Sequence, residues 1–177
     1  MKSHLPRGGK TDRPPFAKPM GNGKWAEAVQ PFVSTAVNKL DAKHRVSVPA
    51  AFRQILAKQD LQGFYYLRSD THPALEGFGK PVLEHYENLQ GAADPLRNDD
   101  YDAEAQDIFG ETGLLEFDDQ GRVTLTADLI EFLGITERVL FVGLNKKFQI
   151  WAPERFERVR EERIARARAA RESRERG

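Results

Sequence analysis

Asn38-Lys39-Leu40-Asp41-Ala42-Lys43-His44-Arg45-Val46-Ser47-Val48-Pro49-Ala50-Ala51-Phe52-Arg53 is the stretch whose reading decides the fold. Residues 32–40, which lead into it, read as a strand, and Asp41–His44 form a turn cluster. Arg45-Val46-Ser47-Val48 alternates polar and apolar, the pattern of a half-buried second strand. Pro49 ends that strand and suits the first turn of a helix. Phe52, Ile55 and Leu56 then fall at i, i+3 and i+4, on one helical face. Further on, residues 64–67 and 74–78 read as short strands. Pro81 opens a helix with Val82, Leu83, Tyr86 and Leu89 along one side.

The pattern recurs at an offset of 77 residues. Asp41, Arg45, Val46, Ser47 and Val48 match Asp118, Arg122, Val123, Thr124 and Leu125. Phe52, Ile55 and Leu56 match Leu129, Phe132 and Leu133. Residues 139–142 and 148–151 correspond to the strands at 64–67 and 74–78, and Pro153 with Phe156 and Val159 corresponds to the Pro81 helix. Two copies of strand–turn–strand–helix–strand–strand–helix make an internal repeat. A copy of about 45 residues is too small to bury an adequate core alone. The expected fold is α+β: two half-units that interleave their strands into one pseudo-symmetric unit with short helices.

The copies set the expected organisation. Residues 1–30 are a disordered basic tail, rich in Pro, Gly and Lys. Residues 32–80 are the first repeat, 81–110 a helix and acidic linker, and 111–154 the second repeat. Residues 155–177 are an Arg/Glu-rich helical tail, and over the stretch from Glu154 to Arg176 Glu154–Arg158 and Glu162–Arg166 are expected as i, i+4 pairs. The linker has many carboxylates but neither the spacing, the central Gly nor the closing Glu of a calcium loop, so no metal is expected.

Charge at first argues against a nucleic-acid partner. The 177 residues carry 27 basic and 27 acidic groups. The balance is partitioned, however. Residues 1–31 hold six Lys/Arg against two Asp/Glu, 32–152 hold twelve against nineteen, and 153–177 hold nine against six. This is an acidic body with two basic ends. The absence of Cys excludes disulfides and thiol chemistry and fits a reducing cytosol. No apolar run is long enough for a membrane span, and the N-terminal stretch lacks the apolar core of a signal peptide.

Enzyme chemistry finds no support in the pattern. His4, His44, His72 and His85 sit in unrelated contexts. Gly9-Lys10-Thr11 lacks the earlier Gly and the preceding strand of a phosphate loop, and Gly77-Phe78-Gly79 lacks the third Gly of a dinucleotide fingerprint. No catalytic residue and no cofactor is expected. Trp151, Phe64, Tyr65, Tyr66, Phe141 and Phe148 lie on short strands and read as core rather than as base-stacking platforms.

Residues 38–53 closely resemble the signature N-x-L-D-x-K-G-R-x-S-V-P-x-x-F-R of the MraZ family, and residues 118–125 resemble that family's second repeat. The resemblance spans residues 32–156. It implies tandem AbrB-like swapped hairpins and a bacterial transcription regulator, cytoplasmic and nucleoid-associated. It further implies ring-like homo-oligomers that bind direct repeats in double-stranded DNA. Those repeats lie upstream of the division and cell-wall gene cluster that contains the regulator's own gene, with repression favoured. Two positions depart from the pattern. His44 stands at the turn glycine, where φ > 0 is expected, and Thr126 stands at the second copy's usual proline, where its hydroxyl is expected to cap the helix.

Lys43 and Arg45 lie two apart at a hairpin edge, so their side chains share a face. Arg offers a planar fork for guanine or phosphate and Lys a point charge, and a two-stranded ribbon fits the major groove. Arg122 is the counterpart of Arg45, and Arg53 sits on the following helix. The expected DNA contacts are Lys43, Arg45, Arg122 and Arg53. The competing role for Asp41 is to pair with Lys43 or Arg45 and stiffen the turn. Two other functions fit the same residues: an antitoxin-like swapped-hairpin protein with a toxin partner, and an assembly protein that binds no DNA.

Overall fold

A computed structural model describes residues 30–90, 102, 103 and 105–175. The expected tail over residues 1–29 and most of the acidic linker lie outside the described residues. The elements, in order, are β1 (Thr35–Lys39), β2 (Arg45–Ser47), α1 (Ala50–Ala57), β3 (Gly63–Arg68), β4 (Ala74–Phe78) and α2 (Lys80–Gln90). A π-helical turn follows at Gln106–Gly110. Then come β5 (Gly113–Glu116), β6 (Arg122–Thr124), α3 (Ala127–Leu133), β7 (Arg138–Leu144), β8 (Lys147–Trp151) and α4 (Pro153–Glu175). The fold is α+β with antiparallel sheets.

Strand pairing is dominated by contacts distant in sequence. A six-stranded sheet runs β1-β7-β8-β4-β3-β5, and β2 pairs with β6 in a separate two-stranded ribbon. β1 lies along β7, with Thr35 opposite Val142 and Lys39 opposite Arg138. β5 lies along β3, with Gly63 opposite Glu116. β4 and β8 meet at the sheet centre, with Gly77 opposite Phe148. The first strand is shorter than its apolar run. Ser34 takes φ 77°, which breaks the ladder, and Phe32 makes only an isolated bridge to Asn145.

Alternation along the strands sorts side chains to two faces. One face carries Phe64, Leu75, Phe141, Phe148 and Ile150. It is covered by Phe52, Ile55 and Leu56 of α1, by Leu129 and Leu133 of α3, and by Val46 and Val123 of the ribbon. Phe148 is the hub, with ring centroids 5.0 Å from Phe32, 5.1 Å from Phe52 and 5.0 Å from Phe64. A Cβ at Gly77 would strike the Phe148 ring, so glycine is what lets the ring lie against β4. The other face carries Ala74, Leu140 and Trp151, against which Phe156 and Val159 of α4 pack. The aromatic residues read as core are buried, except Tyr65 and Tyr66, which are half-buried.

Thr126 does not cap α3 as expected, for no side-chain hydrogen bond reaches the helix backbone. A hydrogen bond from its side chain instead helps hold the Asp128 carboxyl below the usual range. Its φ of −71° is close to the value proline imposes, so the chain enters α3 in the conformation a proline would give. At the start of α4, Glu154 pairs with Arg138 of β7 at 3.2 Å rather than with Arg158, because the strand end reaches it first. Glu162 and Arg166 do pair, at 3.7 Å.

Candidate nucleic-acid interface

The ribbon is built by two turns with the same internal bonding. In the first, Asp41 N–H donates to the Arg45 carbonyl and His44 N–H donates to the Asp41 carbonyl. Asp41 Oδ1 accepts the backbone N–H groups of Lys43 and Arg45, each at 2.9 Å. Asp41 Oδ2 accepts Nε and Nη2 of Arg45, both at 2.8 Å. In the second turn, Asp118 Oδ1 accepts from the backbone of Gln120 at 3.0 Å and of Arg122 at 2.9 Å. Its Oδ2 takes Nε and Nη2 of Arg122, both at 2.7 Å. Each turn is therefore an Asp-centred latch that grips its own arginine.

The turns also bind each other. Leu125 N–H donates to the His44 carbonyl at 2.9 Å, and Val48 N–H donates to the Gly121 carbonyl at 3.1 Å. Between them the ribbon places Arg45 opposite Thr124 and Ser47 opposite Arg122. Val46 and Val123 point inward, each 1% exposed. By alternation, Arg45, Ser47, Arg122 and Thr124 form the outward face. Lys43 stands exposed at the first tip and makes no ion pair among the described residues. Gln120 holds the matching place at the second tip, so the tips differ by one charge.

Arg53 is placed differently. Its Nε donates to the Val48 carbonyl at 3.2 Å, and its guanidinium lies against Gly121, where a Cβ would collide with it. It braces the second turn from the side. Sequence reasoning missed this, because nothing local links Arg53 to a turn 68 residues away. The only signal was the glycine that the second turn keeps and the first lacks.

Both turn residues have left-handed backbone, His44 at φ 60° and Gly121 at φ 72°. An L side chain there costs about 1–2 kcal/mol. Gly121→Ala should destabilise the protein by about 1–2 kcal/mol from the backbone alone, and further by displacing Arg53. His44→Gly should shift stability much less, since relief of the backbone is offset by the freedom glycine brings to the unfolded chain. Urea midpoints of the two variants check this ordering, and equal losses would contradict it.

The arginines hold both Asp carboxyls well below the usual carboxylate range, aided by backbone N–H donors. Side-chain and backbone bonds from Arg122 lower Asp118 to about 2, and backbone and side-chain bonds from Arg45 lower Asp41 to about 2. A depressed folded-state pKa gives stability that is fully present above the unfolded value of 3.8 and is lost as pH falls through about 2. The latches should therefore hold at pH 4 and open near pH 2. Carboxyl carbon NMR titration should show Asp41 and Asp118 titrating last among the aspartates. Ordinary midpoints near 4 would refute the latch.

Antiparallel strands exchanged between the two halves, β1 with β7 and β2 with β6, together with short helices, are consistent with a swapped-hairpin-like topology. Residues 108–176 match the family described as "MraZ protein, putative antitoxin-like". The chain is 39% identical over 125 residues to the transcriptional regulator MraZ of Beijerinckia indica, covering 71% of this chain and 76% of that one. It is 40% identical over 125 residues to that of Azorhizobium caulinodans, covering 71% and 79%. With that of Xanthobacter autotrophicus it shares 38% over 142 residues, covering 80% and 90%. The chain belongs to the MraZ family.

Among the described residues, no group of three or more His, Cys, Asp or Glu could hold a metal. No described helix is long and apolar enough to cross a membrane.

Proposed function

We propose that the protein is a DNA-binding transcriptional regulator that uses the β2–β6 ribbon as its reading element. Lys43, Arg45 and Arg122 contact the major groove, and Arg53 acts through the turn it braces. The single observation that carries this is the pair of latched arginines on one outward face. Each latch occupies Nε and one edge of Nη2, and Nη1 takes no part in it. A guanidinium fixed in this way loses little freedom on meeting a base edge or a phosphate.

The reading includes two AbrB-like repeats, 32–80 and 111–154, packed as one pseudo-symmetric unit. Exchange of β1 with β5, β3 with β7 and β4 with β8 converts the sheet order into its own reverse, which supports it. It also includes a ring-like homo-oligomer acting in the cytoplasm at the nucleoid, on direct repeats upstream of its own division and cell-wall gene cluster, as a repressor. Charge supports assembly. A ribbon with so few cations on an acidic body neutralises few phosphates, each contributing about −0.9 to the log–log salt slope. Several ribbons acting together would raise avidity by about 10²–10⁴.

The test is a binding titration on the DNA upstream of the protein's own gene, across a salt series, with light scattering on the same sample. Specific binding by an oligomer, with a salt slope larger than one ribbon can give, is expected. Tight binding by a monomer would overturn the assembly, and salt-independent or absent binding would overturn the DNA role in favour of a protein partner or a purely structural assembly.

A further inference from the structure

The back face of the six-stranded sheet carries a second site, away from the ribbon. A cleft of about 380 Å³ opens between α4 and the loop before β4. That volume lies at the small end of ligand pockets, about 300–1,000 Å³. Its apolar side is Trp151, Phe156 and Val159, with His72 beside Trp151. The rings pack against one another along this wall. His72 lies 5.4 Å from Trp151, and Phe156 meets Trp151 edge-on at 5.5 Å. Trp151 is 2% exposed, and its Nε1–H is already bonded to Gln149 Oε1 at 2.9 Å, so the indole closes the floor of the cleft.

The charged wall is sorted. Between residues 157 and 166, α4 carries Arg158, Arg160, Arg163 and Arg166 against Glu157, Glu161 and Glu162. Three of these four arginines line the cleft, but only one of the three glutamates does. Arg160 is held by Glu157 at 3.2 Å and Arg166 by Glu162 at 3.7 Å. Arg163, between them, makes no ion pair among the described residues. Ring surface on one side and an uncompensated guanidinium on the other call for a flat apolar body ending in a negative charge.

We infer that this cleft binds a small aromatic carboxylate, with the ring against His72, Phe156 and Val159 and the carboxylate on Arg163. The site lies on the sheet face opposite the one that packs against the ribbon, so it is independent of the proposed DNA contacts.

The test uses the full chain carrying Trp25→Phe, which leaves Trp151 as the single tryptophan. 1-Naphthoate is titrated against its fluorescence, with 1-naphthalenemethanol and inorganic phosphate as controls. The expected result is saturable quenching by naphthoate, with the alcohol binding about tenfold more weakly. Phosphate should fail to compete at matched concentration. Arg163→Gln, a change on an exposed helix surface, should weaken naphthoate by about tenfold, and Arg174→Gln, outside the cleft, should not. Equal binding of the alcohol would make the cleft merely apolar, and competition by phosphate would make it a simple anion patch. Those results, an unchanged Arg163→Gln variant, or no saturable response would each overturn the inference. A parallel DNA titration keeps failure here separate from failure of the DNA role.

Discussion

Phe148→Ala should lower unfolding stability by about 3–5 kcal/mol, the upper range for truncating a buried aromatic residue. The ring is fully buried and pairs with four other phenylalanine rings from four different segments of the chain: Phe32 before β1, Phe52 on α1, Phe64 on β3 and Phe141 on β7. A cavity there cannot close by moving one element, because the surrounding rings are anchored to two strands, a helix and a loop. Against a typical total of about 5–15 kcal/mol, the loss should be visible as a large fall in the urea midpoint. Phe148→Leu should recover most of it. If the alanine variant loses under 1 kcal/mol, Phe148 is not the hub of the core.

Arg45→Ala combined with Arg122→Ala should lower operator affinity by about 10²–10⁴, taking about 1–3 kcal/mol for each arginine that reads a base edge. Assembly and folding should persist, because the Asp41 and Asp118 carboxyls keep their backbone N–H donors in both turns. Far-UV circular dichroism and light scattering monitor this. Lys43→Ala should act more uniformly across DNA sequences and reduce the salt slope by about one. If the double variant binds its operator as the parent does, the ribbon is not the reading element.

The two turns were legible because their signals are local. Asp41 and Arg45 lie four residues apart in one turn, and Phe52, Ile55 and Leu56 mark a helical face within a single turn and a half. The same local logic, repeated at residues 118–133, carried over to the second turn and α3. What sequence could not show is which strand meets which. β1 is as compatible with β3 as with β7 by its side chains, and only the closed sheet selects β7. The state of Arg45 was likewise open between a free tip and an Asp41 pair, because both need the same residues at the same spacing. The back-face cleft was invisible for a related reason. His72, Trp151 and Arg163 come from three elements, and only the packing of α4 brings them together.

The crossed pairing of β1 with β7 has a consequence for synthesis. Lys39 lies opposite Arg138, so the first strand has no partner until about a hundred further residues have been translated. At about 5–20 residues per second this amounts to roughly 5–20 s in which Phe32, Phe52 and Phe64 lack the core that later encloses them. Folding must then close large loops before its main contacts form, which slows it. The nascent first half is thus the stage at which this protein is most open to capture by a chaperone or to pairing with a neighbouring copy on the same polysome.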